Sequence, residues 1–238
     1  MAKSSKDVPA LIINDVQIDH IRYAKDGKTA LVWLAMVDRQ TRKVLATEPA
    51  LALGTKTAQG WQLTLPGSRD WGSVAKSLPS GLLNKAEQER YLPKTIVPTT
   101  EADEQVFTGY YLPWEGGKTV WLTGSVAHFT TYMSCSIETC RYAFDFSDGT
   151  MFALLASKGG TVLGWKDTCA NGDPYCLNYI AIEDTTTSPV TTQLYLHLAY
   201  NSIPAAIKKV GAPVAQGSFI GNTDDTGLST GHHLHFMV

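Results

Sequence analysis

Close to its last residue the chain reads Gly231-His232-His233-Leu234-His235-Phe236, a stretch with three of the six histidines of the protein. In a β-strand, residues two apart point to the same face with Cα atoms about 6.5–7 Å apart. His233 and His235 would therefore project together while Leu234 packs behind them. One ring could bind a metal ion and the other could reach what the metal polarises. Alone, this pattern is weak evidence, because two surface histidines on an edge strand produce it equally well.

The sequence around this stretch predicts a mainly β C-terminal half. From residue 106 onward, short β-like runs alternate with Gly, Asp, Asn and Pro, and useful helical spacing occurs only around residues 205–209. We find no internal repeat and no low-complexity tract. Five of the six histidines belong to this half: His128, His197, His232, His233 and His235.

The N-terminal half predicts a small α+β domain. Residues 30–37 and 60–65 have strand character. Apolar residues from Trp71 to Leu92 recur at helical spacing, which Pro79-Ser-Gly81 interrupts and Pro93 stops. Residues 93–106 are polar and rich in proline, which is typical of a linker. We therefore expect an N-terminal domain with linker over residues 1–103 and a second domain over residues 104–238.

The composition excludes several classes of function. The net charge is −2 at pH 7, and basic residues form no block of the kind that binds nucleic acid or anionic lipid. No apolar run approaches the roughly 20 residues that cross a bilayer. The first residues lack the apolar core of a secretory signal, so the protein is either cytosolic or has lost its signal peptide.

The cysteines favour the second of these alternatives. They form two close pairs, Cys135/Cys140 and Cys169/Cys176, and each pair could close a short loop. Four free thiols or a zinc cluster are the alternatives, but the spacings match neither a Cys-x-x-Cys pair nor a zinc ribbon. We interpret them as disulfides in a secreted, extracellular protein.

Several motifs occur together and in order. They are Tyr142-Ala-Phe-Asp-Phe146, Leu194-Tyr-Leu-His-Leu198, residues 211–222 and residues 226–236. This ordered set resembles the M23 zinc endopeptidases, the lysostaphin and LytM-like family, over roughly residues 110–238. The resemblance implies an antiparallel β-sheet peptidase domain with a groove.

One position departs from the common family pattern. Where that pattern has a ligand histidine four residues before the aspartate, this chain has Arg141, whose permanent charge prevents zinc coordination. The stretch 112–128 instead resembles the opening of the β-lytic, or LasA-like, branch, in which the histidine lies further upstream. By this resemblance His128 is the first ligand, and Cys135/Cys140 would brace the loop that follows it.

The resemblance implies one zinc ion per chain, held by His128, Asp145 and His235, with a fourth position open for water. It assigns His197 and His233 to catalysis, where they would orient or deprotonate that water and stabilise the oxyanion. The implied activity is hydrolysis of peptide bonds in bacterial cell-wall peptidoglycan, with glycine-rich peptides among the substrates. We expect the protein to be a monomer.

Other functions stay open at this point. The Arg141 substitution would also fit an inactive M23-like module that binds cell wall or regulates an autolysin, and a β-rich binding protein with an accidental His-x-His is a third hypothesis. For the N-terminal domain, which has no motif that we can interpret, we hypothesise a propeptide-like role in shielding the groove.

Individual residues also have simpler interpretations. His128 could be a loop histidine, Asp145 a turn or capping residue, and His197 a satisfied core histidine. We assign no role to His232, which would face away from His233. The aromatic residues near the site are expected to lie mostly in the core: Tyr110, Tyr111, Trp114, Trp121, Tyr132 and Trp165.

Overall fold

The computed structural model describes residues 14–65, 70–85, 87–88, 107–125 and 142–238. Contacts between Cα atoms divide the chain into two compact units. The N-terminal unit contains the described residues up to 88, and the C-terminal unit contains residues 107–125 and 142–238. The predicted linker over residues 93–106 lies outside the described residues.

The N-terminal unit is built on a four-stranded antiparallel sheet, with the strands in chain order. The strands are β1 (Asn14–Tyr23), β2 (Thr29–Asp38), β3 (Ala50–Thr57) and β4 (Gly60–Thr64). The predicted strands over residues 30–37 and 60–65 are β2 and β4. Strand β2 is buried almost throughout, because it pairs on both sides and is apolar on both faces.

The described residues of this unit include a short helix, α1 (Trp71–Lys76), with Trp71 and Ala75 buried, and further helical residues at Lys85, Glu87 and Gln88. The predicted interruption at Pro79-Ser-Gly81 separates α1 from these later helical residues, which lie in the second predicted helical stretch. Pro79 and Gly81 follow within a few residues, and Gly81 has a φ of 85°, which no helix accommodates. The unit is α+β, as the sequence predicts.

The C-terminal unit contains a seven-stranded antiparallel sheet and a separate two-stranded ribbon. Its strands are β5 (Trp121–Gly124), β6 (Phe144–Ser147), β7 (Ala153–Leu155), β8 (Gly160–Lys166), β9 (Tyr179–Asp184), β10 (Thr191–Leu196), β11 (Pro213–Val214), β12 (Phe219–Asn222) and β13 (Leu234–Met237). The large sheet has the order β11-β8-β9-β10-β13-β6-β5, and β12 pairs with β7. The helical spacing predicted around residues 205–209 corresponds to a short 3₁₀ helix, Ala205–Ile207. The unit is thus mainly β, as expected.

The last strand decides where the functional side chains lie. Strand β13 inserts between β10 and β6, two strands that are far apart in the sequence, and pairs with both in antiparallel register. In that register His235 lies opposite Leu196 on one side and opposite Asp145 on the other. The sheet therefore brings the C-terminal motif and the aspartate motif into direct contact.

One apolar cluster fills the interior of the C-terminal unit. Its largest fully buried members are Leu154, Ile180, Ile182, Tyr195, Leu198, Ile220 and Leu234. The Tyr195 hydroxyl is satisfied there, because it donates to Gln193 Oε1 at 2.7 Å and accepts from the Ser157 N–H at 2.7 Å. Burial raises the pKa of Tyr195, so this hydroxyl stays neutral.

The expectation that the aromatic residues lie mostly in the core is only partly correct. Trp114 is buried against Phe146 and Phe152, whereas Tyr111 and Trp121 are 68% and 60% exposed. Trp121 begins β5, which is the edge strand of the large sheet and has a neighbour on one side only. Tyr110 and Trp165 are half-buried, and Tyr132 lies outside the described residues.

One of the predicted disulfides is present. Cys169 and Cys176 are joined, with an S–S distance of 2.06 Å, and they close a loop between β8 and β9. The Cys135/Cys140 pair lies outside the described residues. In the parts of the chain that the structure describes, there is no helix of the length and apolar character needed to cross a membrane.

Candidate active site

Asp145 on β6 and His235 on β13 form the centre of the site. They face each other across neighbouring antiparallel strands, so their side chains point to the same side of the sheet. His235 Nδ1 lies 3.1 Å from Asp145 Oδ1, and both side chains are fully buried. A buried carboxylate is tolerated when it is paired or coordinates a metal ion.

This pair fits two of the three protein ligands of a zinc site. Tetrahedral zinc binds nitrogen and oxygen at about 2.0–2.1 Å, which places neighbouring ligand atoms about 3.3 Å apart. The Nδ1–Oδ1 distance of 3.1 Å is close to that value. The predicted first ligand, His128, lies outside the described residues, as does Arg141.

His233 lies immediately before β13, and the structure fixes the orientation of its ring. Its Nδ1 is 2.9 Å from the Gly231 carbonyl oxygen and 3.1 Å from Ser229 Oγ. A carbonyl oxygen only accepts, so Nδ1 carries the proton, and in the neutral ring Nε2 is the basic nitrogen. Nε2 lies 3.9 Å from Asp145 Oδ1, which places a base beside the Asp145–His235 pair.

His197 reaches the same place by a different route. It follows β10, and regular strand alternation would turn its side chain away from the face of Leu196 and His235. Instead its φ is +62°, a left-handed conformation that is uncommon for residues other than glycine. Its ring centroid lies 4.4 Å from that of His233 and 6.0 Å from that of His235. The backbone conformation therefore returns His197 to the site.

The protonation pattern of His197 matches that of His233. Its Nδ1 lies 2.6 Å from the Thr226 carbonyl oxygen and must donate to it, so the basic nitrogen of the neutral ring is again Nε2. The chain turns sharply next to this contact at Gly227, with a φ of +83°, and a Cβ there would lie 2.9 Å from Leu177 Cδ1. Only glycine fits this turn without displacing Leu177.

The structure thus brings together four of the predicted site residues: Asp145, His197, His233 and His235. Sequence reasoning missed the groups that hold the two imidazoles, namely Ser229 and the carbonyls of Thr226 and Gly231. All three belong to the stretch 226–236, which carries the family resemblance. That resemblance is the one sequence signal that could have pointed to them. The simpler interpretation of Asp145 as an isolated turn or capping residue is wrong, because it lies within β6.

His232 was assigned no role from the sequence, and its ring contacts other residues than that of His233. Its ring is 38% exposed, and its Nδ1 lies 3.4 Å from Asp224 Oδ1 and 3.9 Å from Asp225 Oδ1. The two aspartates were not singled out from the sequence. They lie between β12 and β13, outside any regular strand, so no periodicity indicates what they contact.

An Asp–His pair at the spacing of metal ligands thus lies beside two imidazoles whose Nδ1 atoms are held by carbonyl oxygens. Residues 141–238 match the model of peptidase family M23. The match covers the C-terminal part of the chain and supports a peptidase there. No curated protein sequence matches the chain.

The solved structures that resemble the chain include three with TM-scores of 0.31, 0.34 and 0.33. The first is the SpoIIQ–SpoIIIAH pore-forming complex, with 25% identity over 39% of this chain and 53% of that chain and a TM-score of 0.31. A zinc-containing peptidase from Vibrio cholerae has 15% identity over 87% of this chain and 52% of that chain, with a TM-score of 0.34. A Pseudomonas aeruginosa protein assigned to peptidase M23 has 18% identity over 94% and 80% of the two chains, with a TM-score of 0.33. The matches thus span about half the length of the first two structures, 53% and 52%.

Proposed function

We propose that the protein is a zinc metalloendopeptidase that hydrolyses peptide bonds in bacterial cell-wall peptidoglycan. One zinc ion per chain would be held by Asp145, His235 and His128. The observation that carries this proposal is the fully buried Asp145–His235 pair, with its two ligand atoms 3.1 Å apart on neighbouring strands. The family match over residues 141–238 supports the peptidase chemistry.

A zinc ion in this position would polarise the scissile carbonyl and lower the pKa of a water molecule close to neutrality. The chain itself supplies proton transfer through His197 and His233, whose Nδ1 protons are held by carbonyl oxygens. Each Nε2 can accept a proton from the attacking water. Once protonated, it can donate to the oxyanion or to the departing amine.

The proposed substrate is a peptide bound along the face of the sheet that carries Asp145. Trp121 pairs with Ser147, which lies two residues beyond Asp145 and therefore on the same face. Trp121 is 60% exposed, so its indole offers a rigid apolar surface to a bound peptide. The proposal of peptidoglycan as the substrate, and of a monomeric form, rests on the motif resemblance. The proposal of an extracellular location rests on the disulfide.

The proposal is tested by incubating purified peptidoglycan with zinc-loaded protein and measuring the release of new amino termini. We expect activity in the wild type and in Arg141→Ala, but not in His128→Ala, because only the histidine can coordinate zinc. Full activity in His128→Ala with loss in Arg141→Ala would overturn the ligand assignment. Absence of both zinc and activity in the wild type would favour an inactive wall-binding module instead.

A further inference from the structure

A second group of metal-ligating side chains lies in the C-terminal unit, between β12 and β13. It consists of Asp224, Asp225 and His232, which each offer one ligand atom, all within 4.8 Å of one another. His232 Nδ1 lies 3.4 Å from Asp224 Oδ1 and 3.9 Å from Asp225 Oδ1. Ligand atoms around one divalent ion at about 2.1 Å have separations of this size.

Asp224 points to a missing ligand. Its side chain is 0% exposed, and although Oδ2 accepts a long hydrogen bond of 3.3 Å from the Gly172 N–H, Oδ1 forms no hydrogen bond with any described residue. The facing His232 Nδ1 is likewise buried as an atom and without a hydrogen bond there. Two facing polar atoms in this state are costly unless something binds both of them.

The local charge also favours a cation. The carboxylate of Asp225 lies close to that of Asp224, so two acidic groups share this small region. Lys158, which neutralises the buried Asp184 elsewhere in the unit, shows the alternative way to stabilise such a group. Asp224 instead has a second carboxylate, that of Asp225, and the His232 imidazole beside it. A divalent cation would balance both carboxylates and remove their mutual repulsion.

We propose that Asp224, Asp225 and His232 form a second metal site that binds a divalent transition-metal ion of the zinc class. The donor set selects this class, because imidazole nitrogen suits zinc and its neighbours, whereas calcium and magnesium prefer shells made only of oxygen. Asp225 and His232 are partly exposed, with side chains 34% and 38% accessible, so the ion can enter from solvent and keep water ligands.

The backbone of Asp224 connects this site to the proposed active site. Its N–H donates to the His197 carbonyl oxygen at 2.6 Å, and its own carbonyl oxygen accepts from the His233 N–H at 3.3 Å. A bound ion would hold Asp224 in place and, through these two bonds, the chain segments that carry both imidazoles. The ion binding stands independently of the proposed peptidase activity, whereas any influence on catalysis rests on it.

Zinc stoichiometry, measured by equilibrium dialysis in a zinc buffer followed by elemental analysis of the full chain, tests the proposal. We expect about two ions per chain in the wild type, and about one in Asp145→Asn, in Asp225→Asn and in His232→Gln. Combining Asp145→Asn with His232→Gln should remove both. The matched control is His20→Gln, which removes a different partly exposed histidine that contacts an aspartate, and should leave both ions bound.

The outcomes separate the two sites. Unchanged stoichiometry and affinity in Asp225→Asn and His232→Gln would overturn the second site, even if Asp145→Asn loses its ion. Loss of an ion in those variants but not in Asp145→Asn would support the second site while contradicting the proposed zinc enzyme. As a second readout, zinc should raise the Tm of Asp145→Asn. When His232→Gln is added to that variant, the zinc concentration needed for the same rise in Tm should increase by about tenfold or more.

Discussion

Two aspartate–histidine pairs in the C-terminal unit differ in how the fold holds them. Asp145 and His235 belong to paired strands, are fully buried and lie 3.1 Å apart. Asp224 and His232 belong to the connection between two strands, lie 3.4 Å apart and leave the imidazole 38% exposed. The chemistry of the two pairs is the same, but only the first is fixed by sheet register.

The difference teaches what preorganisation does for a metal site. A pair held by two neighbouring strands keeps its ligand atoms in place before the ion arrives, so little ordering free energy is lost on binding. In the second pair Asp224 is buried, but the His232 imidazole is 38% exposed and lies outside the paired strands, so more of its ordering is left to the ion. We therefore expect tighter zinc binding at Asp145–His235 than at the second site, and larger effects when the first pair is changed.

The largest effect is expected from Asp145→Asn. An amide is a poorer zinc ligand and lacks the charge that favours the ion, so zinc at this site and peptidase activity should both be lost, the activity by on the order of 10³-fold or more. Asp148→Asn is the matched control. Asp148 lies three residues after Asp145, and its carboxylate is ion-paired with Lys118. Elemental analysis and the release of amino termini measure the two properties. Retention of zinc and activity in Asp145→Asn would contradict the assignment.

His233→Ala and His197→Ala should separate metal binding from proton transfer. Each should lower kcat by about 10²–10³-fold while the protein keeps the zinc ion held by Asp145, since neither ring is a predicted ligand. Ser229→Ala, which removes only a contact to His233 Nδ1, should cost about tenfold or more. Steady-state kinetics on a peptide substrate, with zinc content measured in parallel, checks this. Loss of the ion in His233→Ala would show that it is a ligand instead.

Replacing both Cys169 and Cys176 by serine should loosen the second pair more than the first. The loop that the disulfide closes contains Gly172, whose N–H contacts Asp224 Oδ2, whereas Asp145 and His235 are held by the sheet. The loop is short, so we expect a loss of about 2–3 kcal/mol in the free energy of unfolding. Denaturant unfolding measures this loss, and zinc affinity should fall mainly at the second site. An equal fall at both sites would argue against the contrast.

Trp121→Ala tests whether substrate lies on the face of the sheet that carries Asp145. We expect KM to rise about tenfold with little change in kcat, because the indole would contribute binding and no chemistry. Leu122→Ala is the matched control, since Leu122 is the next residue on the same strand, similarly exposed at 55%, and points to the opposite face. Equal effects of the two substitutions would contradict a substrate path along this face.

The smallest effect concerns another buried carboxylate, Asp184, which has a lysine partner. Burial would raise its pKa, but hydrogen bonds from Lys158 and Thr186 outweigh burial and hold the pKa below 3.8. The stabilisation is therefore present above pH 3.8 and is lost as the pH falls through the lowered pKa. The hydrogen bond to Asp184 raises the pKa of Lys158 above 10.5. The contribution of Lys158 is therefore fully present below pH 10.5 and is lost as the pH rises through the raised pKa.

Tm measured against pH for the wild type and Asp184→Asn checks these signs. The difference between the two proteins should be constant from about pH 5 to pH 9 and should shrink at both extremes. A difference that stays constant below pH 3 would show that ionisation of Asp184 makes no contribution.

The parts of the site that follow strand periodicity could be predicted from the sequence. The His-x-His pattern and the Tyr-Ala-Phe-Asp-Phe motif indicate strands, and pairing of those strands places His235 opposite Asp145. The position of His197 could not be obtained in this way, because its φ of +62° breaks the alternation that a strand pattern assumes. The Asp224 cluster was missed for a related reason, since contacts between non-repetitive segments have no period in the sequence.

Exposure was also beyond sequence reasoning where it depends on strand order. Trp121 has the residue type of a core position, and only its place on the edge strand β5 leaves it 60% exposed. The end of the short helix α1 is different, because the sequence itself contains the Pro79-Ser-Gly81 interruption that follows it.

The central claim is that a zinc ion held at Asp145 and His235 cleaves peptide bonds. The most direct measurement is the release of amino termini from purified peptidoglycan by zinc-loaded wild type and by zinc-loaded His235→Gln, with the zinc content of both proteins determined in the same samples. We predict release by the wild type only, and one fewer zinc ion in His235→Gln. Equal release and equal zinc content in the two proteins would contradict the account.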